Sequence, residues 1–176
     1  MNEGNIAVSS DESEPCFGML IYSFFKRTEK DGNETKQLAG EFTIPSGIKG
    51  EIYYCGRKGS NFLNGVYYWT FEVENQKFIA YEVGFGRKGI YLCIWKDNKL
   101  FAIVSKDVHT KRFESNYTIY SEDDMPLEMV CICSLFWDLS RYYPTSSAEE
   151  FHTLNTWQKE LKNKFDADFI KRISCK

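Results

Sequence analysis

Three successive segments after Val66 each consist of an aromatic-rich stretch, a short polar turn and an apolar stretch. They read VYYWTFEV-ENQK-FIAYEV, IYLCIW-KDNK-LFAIV and YTIY-SEDDMP-LEMVCIC. Aromatic and β-branched residues favour pleated strands, and turns this short join antiparallel neighbours, because parallel strands need crossovers of about a dozen residues or more. The repetition therefore predicts a mainly β fold, an antiparallel meander that closes into a barrel or a sandwich.

The chain before Val66 also contains strand patterns, although its first residues are polar. Residues 1–15 are acidic and offer little to bury, which predicts a flexible N-terminal arm. The apolar run CFGMLIYSFF begins at Cys16 and predicts a buried strand. Further strands are predicted at residues 38–44 and 48–55. We therefore assign residues 16–144 to one β domain.

The segment LEMVCICSLFWDLSRYY, residues 127–143, is the longest stretch with almost no charge and no turn residue. Short apolar runs do not by themselves distinguish a strand from a buried helix. We predict a strand up to about Cys133 and then a buried apolar helix over residues 134–143. Asp138 and Arg141 interrupt the run, which argues against a transmembrane helix. Because an unpaired buried charge is costly, these two side chains should pair with each other or mark where the helix meets solvent.

Residues 145–176 show a helical pattern. Ser147 and Glu150 fit a capping box. Apolar residues recur at helical spacing at Phe151, Leu154, Trp157, Leu161, Phe165 and Phe169. The pattern predicts one C-terminal amphipathic helix, which packs either on its own domain or on a partner. Its polar side mixes lysines with acidic residues, unlike the strongly cationic face of a membrane-surface helix.

The overall charge and the cysteine content narrow the class of protein. A formal net charge of -3 gives no reason to expect nucleic acid as a partner, since proteins that bind the phosphate backbone carry a basic excess. The first residues lack the apolar core of a secretory signal, so we expect a cytoplasmic chain whose six cysteines are reduced thiols. No Cys-x-x-Cys pair occurs, and His109 and His152 are far apart, so neither a metal site nor a cofactor is predicted.

The tetrapeptide Gly-Arg-Lys-Gly occurs twice, at residues 56–59 and 86–89, each time after an aromatic-rich strand. Glycine permits positive φ and brings backbone N–H groups close to an anion, while the cations supply charge for a phosphate or carboxylate. The candidate contacts for an anionic ligand are therefore Arg57, Lys58, Arg87 and Lys88. This assignment requires both loops to reach the same face. The alternative is a pair of solvated turns, in which glycine serves geometry and the cations serve solubility.

No catalytic constellation is recognisable in the sequence. Neither histidine lies in a nucleophile motif, and the chain contains no G-x-S-x-G, P-loop or HExxH sequence. The acidic residues 122–124 lack the alternating spacing and the distal glutamate of an EF-hand loop, which favours a solvated turn. These observations favour a binding domain without enzymatic activity.

The units GIYLCIWKDNKLFAIV and NYTIYSEDDMPLEMV, followed by MVCICSLFWDLSRYY, resemble the superfamily of tubby, LURP-one and phospholipid-scramblase proteins. The resemblance implies a closed β-barrel around a hydrophobic helix near the chain end. A second stretch, NGVYYWTFEVENQKFIAYEVGF, is similar to the G-x-x-Y-W-x-x-x-V core of SPRY domains. That likeness implies a β-sandwich that binds short peptide segments of partner proteins.

Two hypotheses about function follow from the resemblances and from the placement of charge. The first is a cytoplasmic module that attaches peripherally to membranes by binding anionic lipid headgroups through its basic turns. It predicts salt-sensitive binding to anionic vesicles. The alternative is a β-sandwich module that recognises a partner protein through exposed aromatic residues or through the C-terminal helix.

Overall fold

The computed structural model describes most of the chain. The described residues are 4–11, 14–21, 28–31, 34–44, 46–57, 65–111, 115–142 and 149–174. The chain divides into two compact units, Met1–Ile79 and Ala80–Lys176.

Antiparallel β-strands dominate both units, which confirms the prediction of a mainly β fold. The described strands are β1 (Gly4–Asp11), β2 (Glu14–Ile21), β3 (Thr28–Asp31), β4 (Glu34–Thr43), β5 (Lys49–Arg57), β6 (Val66–Val73), β7 (Gln76–Gly84), β8 (Ile90–Lys96), β9 (Lys99–Lys106), β10 (His109–Lys111), β11 (Tyr117–Ser121) and β12 (Glu149–Phe151). The described α-helices are α1 (Leu127–Arg141), the single turn α2 (Lys159–Lys162) and α3 (Ala167–Ser174). The boundary between the units falls inside β7.

In the first unit, most strands that follow one another along the chain are neighbours, but β2 pairs with β4 and not with β3. Their order is β1-β2-β4-β5-β6, and β3 pairs with β4. These pairs are antiparallel, and β5 meets β6 in regular register from Gly50 opposite Val73 to Arg57 opposite Val66. The strands predicted over residues 38–44 and 48–55 are thus confirmed as β4 and β5.

Alternation along β4, β5 and β6 separates two faces of the first unit, because successive side chains of a strand point to opposite sides. Phe42, Ile52 and Phe71 are fully buried on one face, where Ile52 lies directly opposite Phe71. The other face carries a smaller apolar cluster of Leu38, Tyr53 and Cys55. Both faces of these strands therefore bury apolar side chains.

In the second unit, the end of β7 is followed in sheet order by β8, β9 and β11. The hairpin of β8 and β9 turns at Asp97 and Asn98, which have φ values of 49° and 61°. Positive φ at both positions is what a two-residue hairpin turn of type I′ requires. The predicted hairpin at the KDNK sequence is confirmed. Strands β10 and β12 form a separate ribbon in which His109 lies opposite Phe151.

Helix α1 buries one face within the second unit. Its buried residues are Met129, Val130, Ile132, Cys133, Phe136 and Trp137. Most of them follow the i, i+3, i+4, i+7 spacing of an apolar stripe, while Leu127 is 60% exposed. Within the described residues, the structure contains no helix with the length and apolarity needed to cross a bilayer.

The strand predicted up to about Cys133 is wrong, because helix α1 begins at Leu127. Strand β11 ends at Ser121, so the third predicted hairpin has only its first strand. Pro126, with φ of -59°, directly precedes the helix. Proline is tolerated at a helix start because the first N–H groups of a helix have no internal partner. The helical part of the prediction is confirmed as far as Arg141.

Asp138 and Arg141 of α1 have partners in the second unit. The Asp138 carboxylate accepts a hydrogen bond from the Tyr117 hydroxyl. The Nε atom of Arg141 lies 3.3 Å from Oε2 of Glu82, and the Arg141 side chain is 46% exposed. Arg141 therefore marks where the helix meets solvent, which is one of the two predicted outcomes.

The prediction of one helix over residues 145–176 is wrong over its first part. Glu149–Phe151 is strand β12, and only Lys159–Lys162 and Ala167–Ser174 are helical. Backbone pairing with other segments overrides the local helical pattern there, since the N–H of His152 donates to the Val108 carbonyl at 2.8 Å. Ser147 of the predicted capping box lies outside the described residues.

Helix α3 keeps the predicted amphipathic character over its shorter range. Phe169 is 1% exposed, whereas Asp168, Lys171 and Arg172 are exposed. The helix packs against β11, and Arg172 donates to Glu122 at 3.0 Å. It therefore docks on its own unit.

The N-terminal residues also differ from the expected flexible arm. Strand β1 pairs antiparallel with β2, and Ile6 lies opposite Met19. Strand β2 pairs with β4 on its other side. An edge strand is held by backbone hydrogen bonds, which polar residues form as well as apolar ones, so an acidic composition does not prevent pairing.

Candidate functional site

The first Gly-Arg-Lys-Gly sequence does not begin with a turn. Gly56 and Arg57 are the last residues of β5, and Arg57 lies opposite Val66. The Arg57 side chain is exposed, and Lys58 lies outside the described residues. A Cβ atom on Gly56 would lie 2.9 Å from the Tyr67 ring. This glycine therefore makes room for an aromatic side chain.

The second Gly-Arg-Lys-Gly sequence forms the expected turn. Gly86–Lys88 is one turn of 3-10 helix. The φ values of Gly86 and Gly89 are 65° and 143°, which glycine adopts without steric cost. Arg87 and Lys88 are both exposed, and no ion pair within the described part of the chain involves either side chain. The turn thus presents two adjacent cations to solvent.

Most of the backbone of this turn is hydrogen-bonded within the protein. The N–H of Gly86 donates to the Leu154 carbonyl at 2.8 Å, and the N–H of Lys88 donates to the Phe85 carbonyl at 3.3 Å. The N–H of Phe85 donates to the Gly89 carbonyl at 3.0 Å. An anion at this turn would therefore be bound by the two cationic side chains rather than by a nest of backbone N–H groups.

An aromatic cluster packs beside the turn. The ring centroid of Phe165 lies 5.1 Å from that of Phe85 and 4.5 Å from that of Tyr91. The Tyr91 hydroxyl donates to the Lys88 carbonyl at 3.3 Å. Tilted and edge-to-face contacts of this kind stabilise aromatic pairs, and these three side chains are partly buried. They anchor the backbone of the turn while its cations stay in water.

Residues 154–156 run antiparallel to residues 84–86. The N–H of Thr156 donates to the Gly84 carbonyl, and the N–H of Gly84 donates to the Thr156 hydroxyl, both at 2.9 Å. A Cβ atom on Gly84 would lie 2.3 Å from the Leu154 carbonyl oxygen, so glycine is required for this close approach. The turn that carries Arg87 and Lys88 is therefore fixed to the segment that follows β12.

A buried lysine lies in another part of the second unit. Lys106 is 1% exposed, and its Nζ atom donates to Ser115 Oγ at 2.6 Å. The ammonium group lies 4.9 Å from the ring centroid of Tyr117 and 4.8 Å from that of Tyr142, within the range of cation–π attraction. Burial lowers the pKa of Lys106, whereas the negative charge of Asp138 raises it.

Glu82 belongs to the same polar network as Lys106, because both side chains contact Tyr142. Its Oε1 atom accepts hydrogen bonds from Trp137 Nε1 and from the Tyr142 hydroxyl, both at 2.7 Å. Burial raises the pKa of Tyr142, and the Glu82 carboxylate raises it further. These bonds fasten the end of α1 to the end of β7. They stabilise the unit, in which the Lys106 side chain is buried.

His152 lies at the edge of the same network. Its ring packs edge-on against Tyr142, with centroids 5.0 Å apart. Its Nε2 atom lies 3.5 Å from Oε2 of Glu150, yet the atom is buried and forms no hydrogen bond with a residue that the structure describes. Burial lowers the pKa of His152, the charge of Lys106 lowers it further, and Glu150 and Asp138 raise it. The imidazole of His152 therefore binds a proton less readily in the folded protein than in the unfolded chain.

The free energy of unfolding should consequently fall as the pH drops below about 6.5, the ordinary pKa of histidine, because protons then bind preferentially to the unfolded chain. Urea unfolding at pH 7.5 and pH 5.5 measures this loss. The His152→Gln variant should lose less stability than the wild type over the same interval. Equal losses in the two proteins would show that His152 does not contribute.

Within the residues that the structure describes, no group of three or more histidine, cysteine, aspartate or glutamate side chains is arranged to hold a metal ion. The described cysteines include the free thiols Cys55, Cys93, Cys131 and Cys133. Burial raises the pKa of each of these four thiols. A raised pKa disfavours the thiolate, which is the reactive form.

The structure brings together two of the four predicted contacts. Arg87 and Lys88 lie side by side on one turn, whereas Arg57 belongs to the first unit. The exposure of Phe151 and Trp157 was not predicted, because their helical spacing placed both on the apolar face of a helix. Phe151 ends strand β12 and Trp157 lies in the segment after it, and the two side chains are 73% and 83% exposed.

Comparisons with known proteins place the chain in no family. No family model, no curated protein and no solved structure matches it. The resemblances to tubby-like proteins and to SPRY domains therefore stay predictions, and the function is inferred from the chain's own residues.

Proposed function

We propose that the second unit is a non-enzymatic module that binds the anionic headgroups of a membrane surface through Arg87 and Lys88. The observation that carries the proposal is the turn itself, which holds two adjacent exposed cations on an anchored backbone. Such a turn suits an anionic ligand that carries a phosphate or carboxylate group. Arginine offers such a group a planar fork of donors, and lysine offers it a compact charge.

A lipid surface suits this turn better than a free anion. The N–H groups of Gly86 and Lys88 are bonded within the protein, so few donors remain to enclose a small ion. Exposed cations respond instead to the collective negative potential of an anionic leaflet. A membrane surface therefore attracts the turn through many negative charges at once, whereas a dissolved phosphate is a single ion.

Two cations alone give weak attachment. A Lys or Arg near an anionic leaflet contributes about 1 kcal/mol, so the pair contributes about 2 kcal/mol, a gain of roughly thirtyfold. Residues 80–176 contain as many Asp and Glu as Lys and Arg residues, so the rest of the unit adds no net attraction. Binding should be salt-sensitive, and a second contribution is needed for a stable complex.

Charge reversal tests the proposal. The double variant Arg87→Glu/Lys88→Glu should bind vesicles that contain phosphatidylserine more than about a hundredfold less tightly, because repulsion replaces attraction at both positions. The matched control is Lys96→Glu/Lys99→Glu, which makes the same change of charge beside the turn of the β8–β9 hairpin. Co-sedimentation over a range of lipid concentrations measures both affinities.

Equal affinity of the double variant and the control would contradict the assignment. A second arm adds inorganic phosphate at constant ionic strength and is expected to leave vesicle binding unchanged. Competition by millimolar phosphate would indicate a soluble anion as the ligand instead of a membrane surface.

A further inference from the structure

Two exposed aromatic side chains flank the segment that is bonded to the basic turn. Phe151 is 73% exposed and Trp157 is 83% exposed, and each exceeds every other large apolar side chain in the described part of the chain. Single exposed apolar residues are common on proteins. An almost fully exposed indole is less common, because tryptophan is highly buried on average.

Backbone pairing fixes this segment relative to Arg87 and Lys88. Residues 154–156, which separate Phe151 from Trp157, form three hydrogen bonds of 2.8–2.9 Å with residues 84–86. Thr156 is 6% exposed, so the backbone beside Trp157 is packed while its indole is not. The backbone between the two aromatic residues is therefore fixed to the backbone of the turn that carries the two cations.

From this arrangement we propose that Trp157, supported by Phe151, inserts into the interfacial layer of an anionic bilayer when Arg87 and Lys88 engage its headgroups. Indole is suited to this layer because its ring is apolar and its N–H remains hydrogen-bonded at the headgroups. The inference rests on the proposed function and supplies the second contribution that two cations lack. Insertion of apolar area and attraction of cations act together in surface binding.

The surrounding charges favour an anionic bilayer over an apolar protein surface. Lys159 and Lys162, within five residues of Trp157, are exposed, as are Arg87 and Lys88. Glu160 is the exposed carboxylate among them, so the cations outnumber it. Exposed cations close along the chain to an exposed aromatic side chain are typical of segments that lie at the boundary of headgroups and acyl chains.

Quenching of tryptophan fluorescence by brominated lipids tests the insertion. The full-length protein is mixed with vesicles of phosphatidylserine and brominated phosphatidylcholine. We expect a blue shift and strong quenching in the wild type, and neither in Trp157→Ser. Affinity for the same vesicles should fall about tenfold to thirtyfold, as expected if about a third of an indole surface leaves water on binding.

Leu127→Ser is the matched control, because Leu127 is an apolar side chain of the same unit that is 60% exposed. It should keep both the quenching and the affinity. Circular dichroism checks that each variant is folded. A surface substitution away from packed contacts is expected to change the stability by less than about 0.5 kcal/mol.

The results separate the failure of the insertion from the failure of the proposed function. If Trp157→Ser keeps its affinity while Arg87→Glu/Lys88→Glu loses it, the insertion is wrong and headgroup binding stands. If only Trp157→Ser loses affinity, the insertion stands and the role of the basic turn is wrong. Absence of wild-type binding overturns both. A dimer that forms without vesicles and disappears in Trp157→Ser also overturns the insertion, because a second copy would then cover the indole.

Discussion

Replacing Trp137 with alanine is expected to lower the free energy of unfolding by about 3–5 kcal/mol, the usual cost of removing a large buried aromatic side chain. Trp137 is fully buried, and its ring meets Tyr117 and Tyr142 edge-on with centroids 5.9 Å and 5.6 Å away. The substitution leaves a cavity under helix α1. It also removes the indole N–H bond to Glu82, one of the contacts that fasten α1 to β7.

Urea unfolding of Trp137→Ala and Trp137→Phe measures this loss in two parts. The phenylalanine variant keeps most of the packing and loses the hydrogen bond, so its cost should be smaller, about 1–3 kcal/mol. Trp157→Ala is the control, because it removes the same side chain from an exposed position and should change the stability by less than about 0.5 kcal/mol. Equal effects at positions 137 and 157 would contradict the placement of α1.

Replacing Asp138 with alanine is expected to cost about 3 kcal/mol, because the Tyr117 hydroxyl loses its acceptor and the buried Lys106 ammonium loses a nearby negative charge. Removal of one member of a buried polar network leaves the others desolvated without compensation. The effect should therefore depend on whether Lys106 carries its charge.

A double-mutant cycle with Lys106→Met isolates that dependence. Methionine resembles the lysine stem in shape and carries no charge, so the Asp138→Ala cost should fall to about 1 kcal/mol in this background. Neighbours that share a network show coupling energies of about 0.5–3 kcal/mol. Additive effects of the two substitutions would show that Asp138 does not compensate the charge of Lys106.

The fold class could be predicted because its signals are local. Hairpins such as IYLCIW-KDNK-LFAIV contain both strands and the turn within a few residues, and the structure has them as β8 and β9. The strand predicted up to Cys133 is wrong because a short apolar run fits a buried strand and a buried helix equally well. The signal that separates them is Pro126, which precedes the first helical residue.

In residues 145–176 the error is the opposite one, because a helix was predicted where the backbone pairs with other segments. Phe151, Leu154 and Trp157 have helical spacing, but the backbone of residues 154–156 is bonded to residues 84–86. Such pairing connects residues about seventy positions apart and leaves no periodic trace in the sequence. The close approach depends on Gly84, which belongs to no recognisable sequence motif.

The candidate site was predictable only in part for the same reason. The Gly-Arg-Lys-Gly repeat indicated Arg87 and Lys88, and the structure places both on an exposed turn. The repeat does not indicate that Gly56 and Arg57 continue β5. The sequence also contains no sign that Lys106 lies between Tyr117 and Tyr142, since these three residues meet through tertiary packing alone.

Hydrogen–deuterium exchange of the full-length protein, with and without vesicles that contain phosphatidylserine, tests the membrane-binding role of the second unit most directly. We expect slower exchange on vesicles in peptides that cover residues 85–91 and 150–158, and unchanged exchange at the turn of Asp97 and Asn98. Protection should disappear in Arg87→Glu/Lys88→Glu. Unchanged exchange at both peptides under conditions where the protein co-sediments with vesicles would contradict the account.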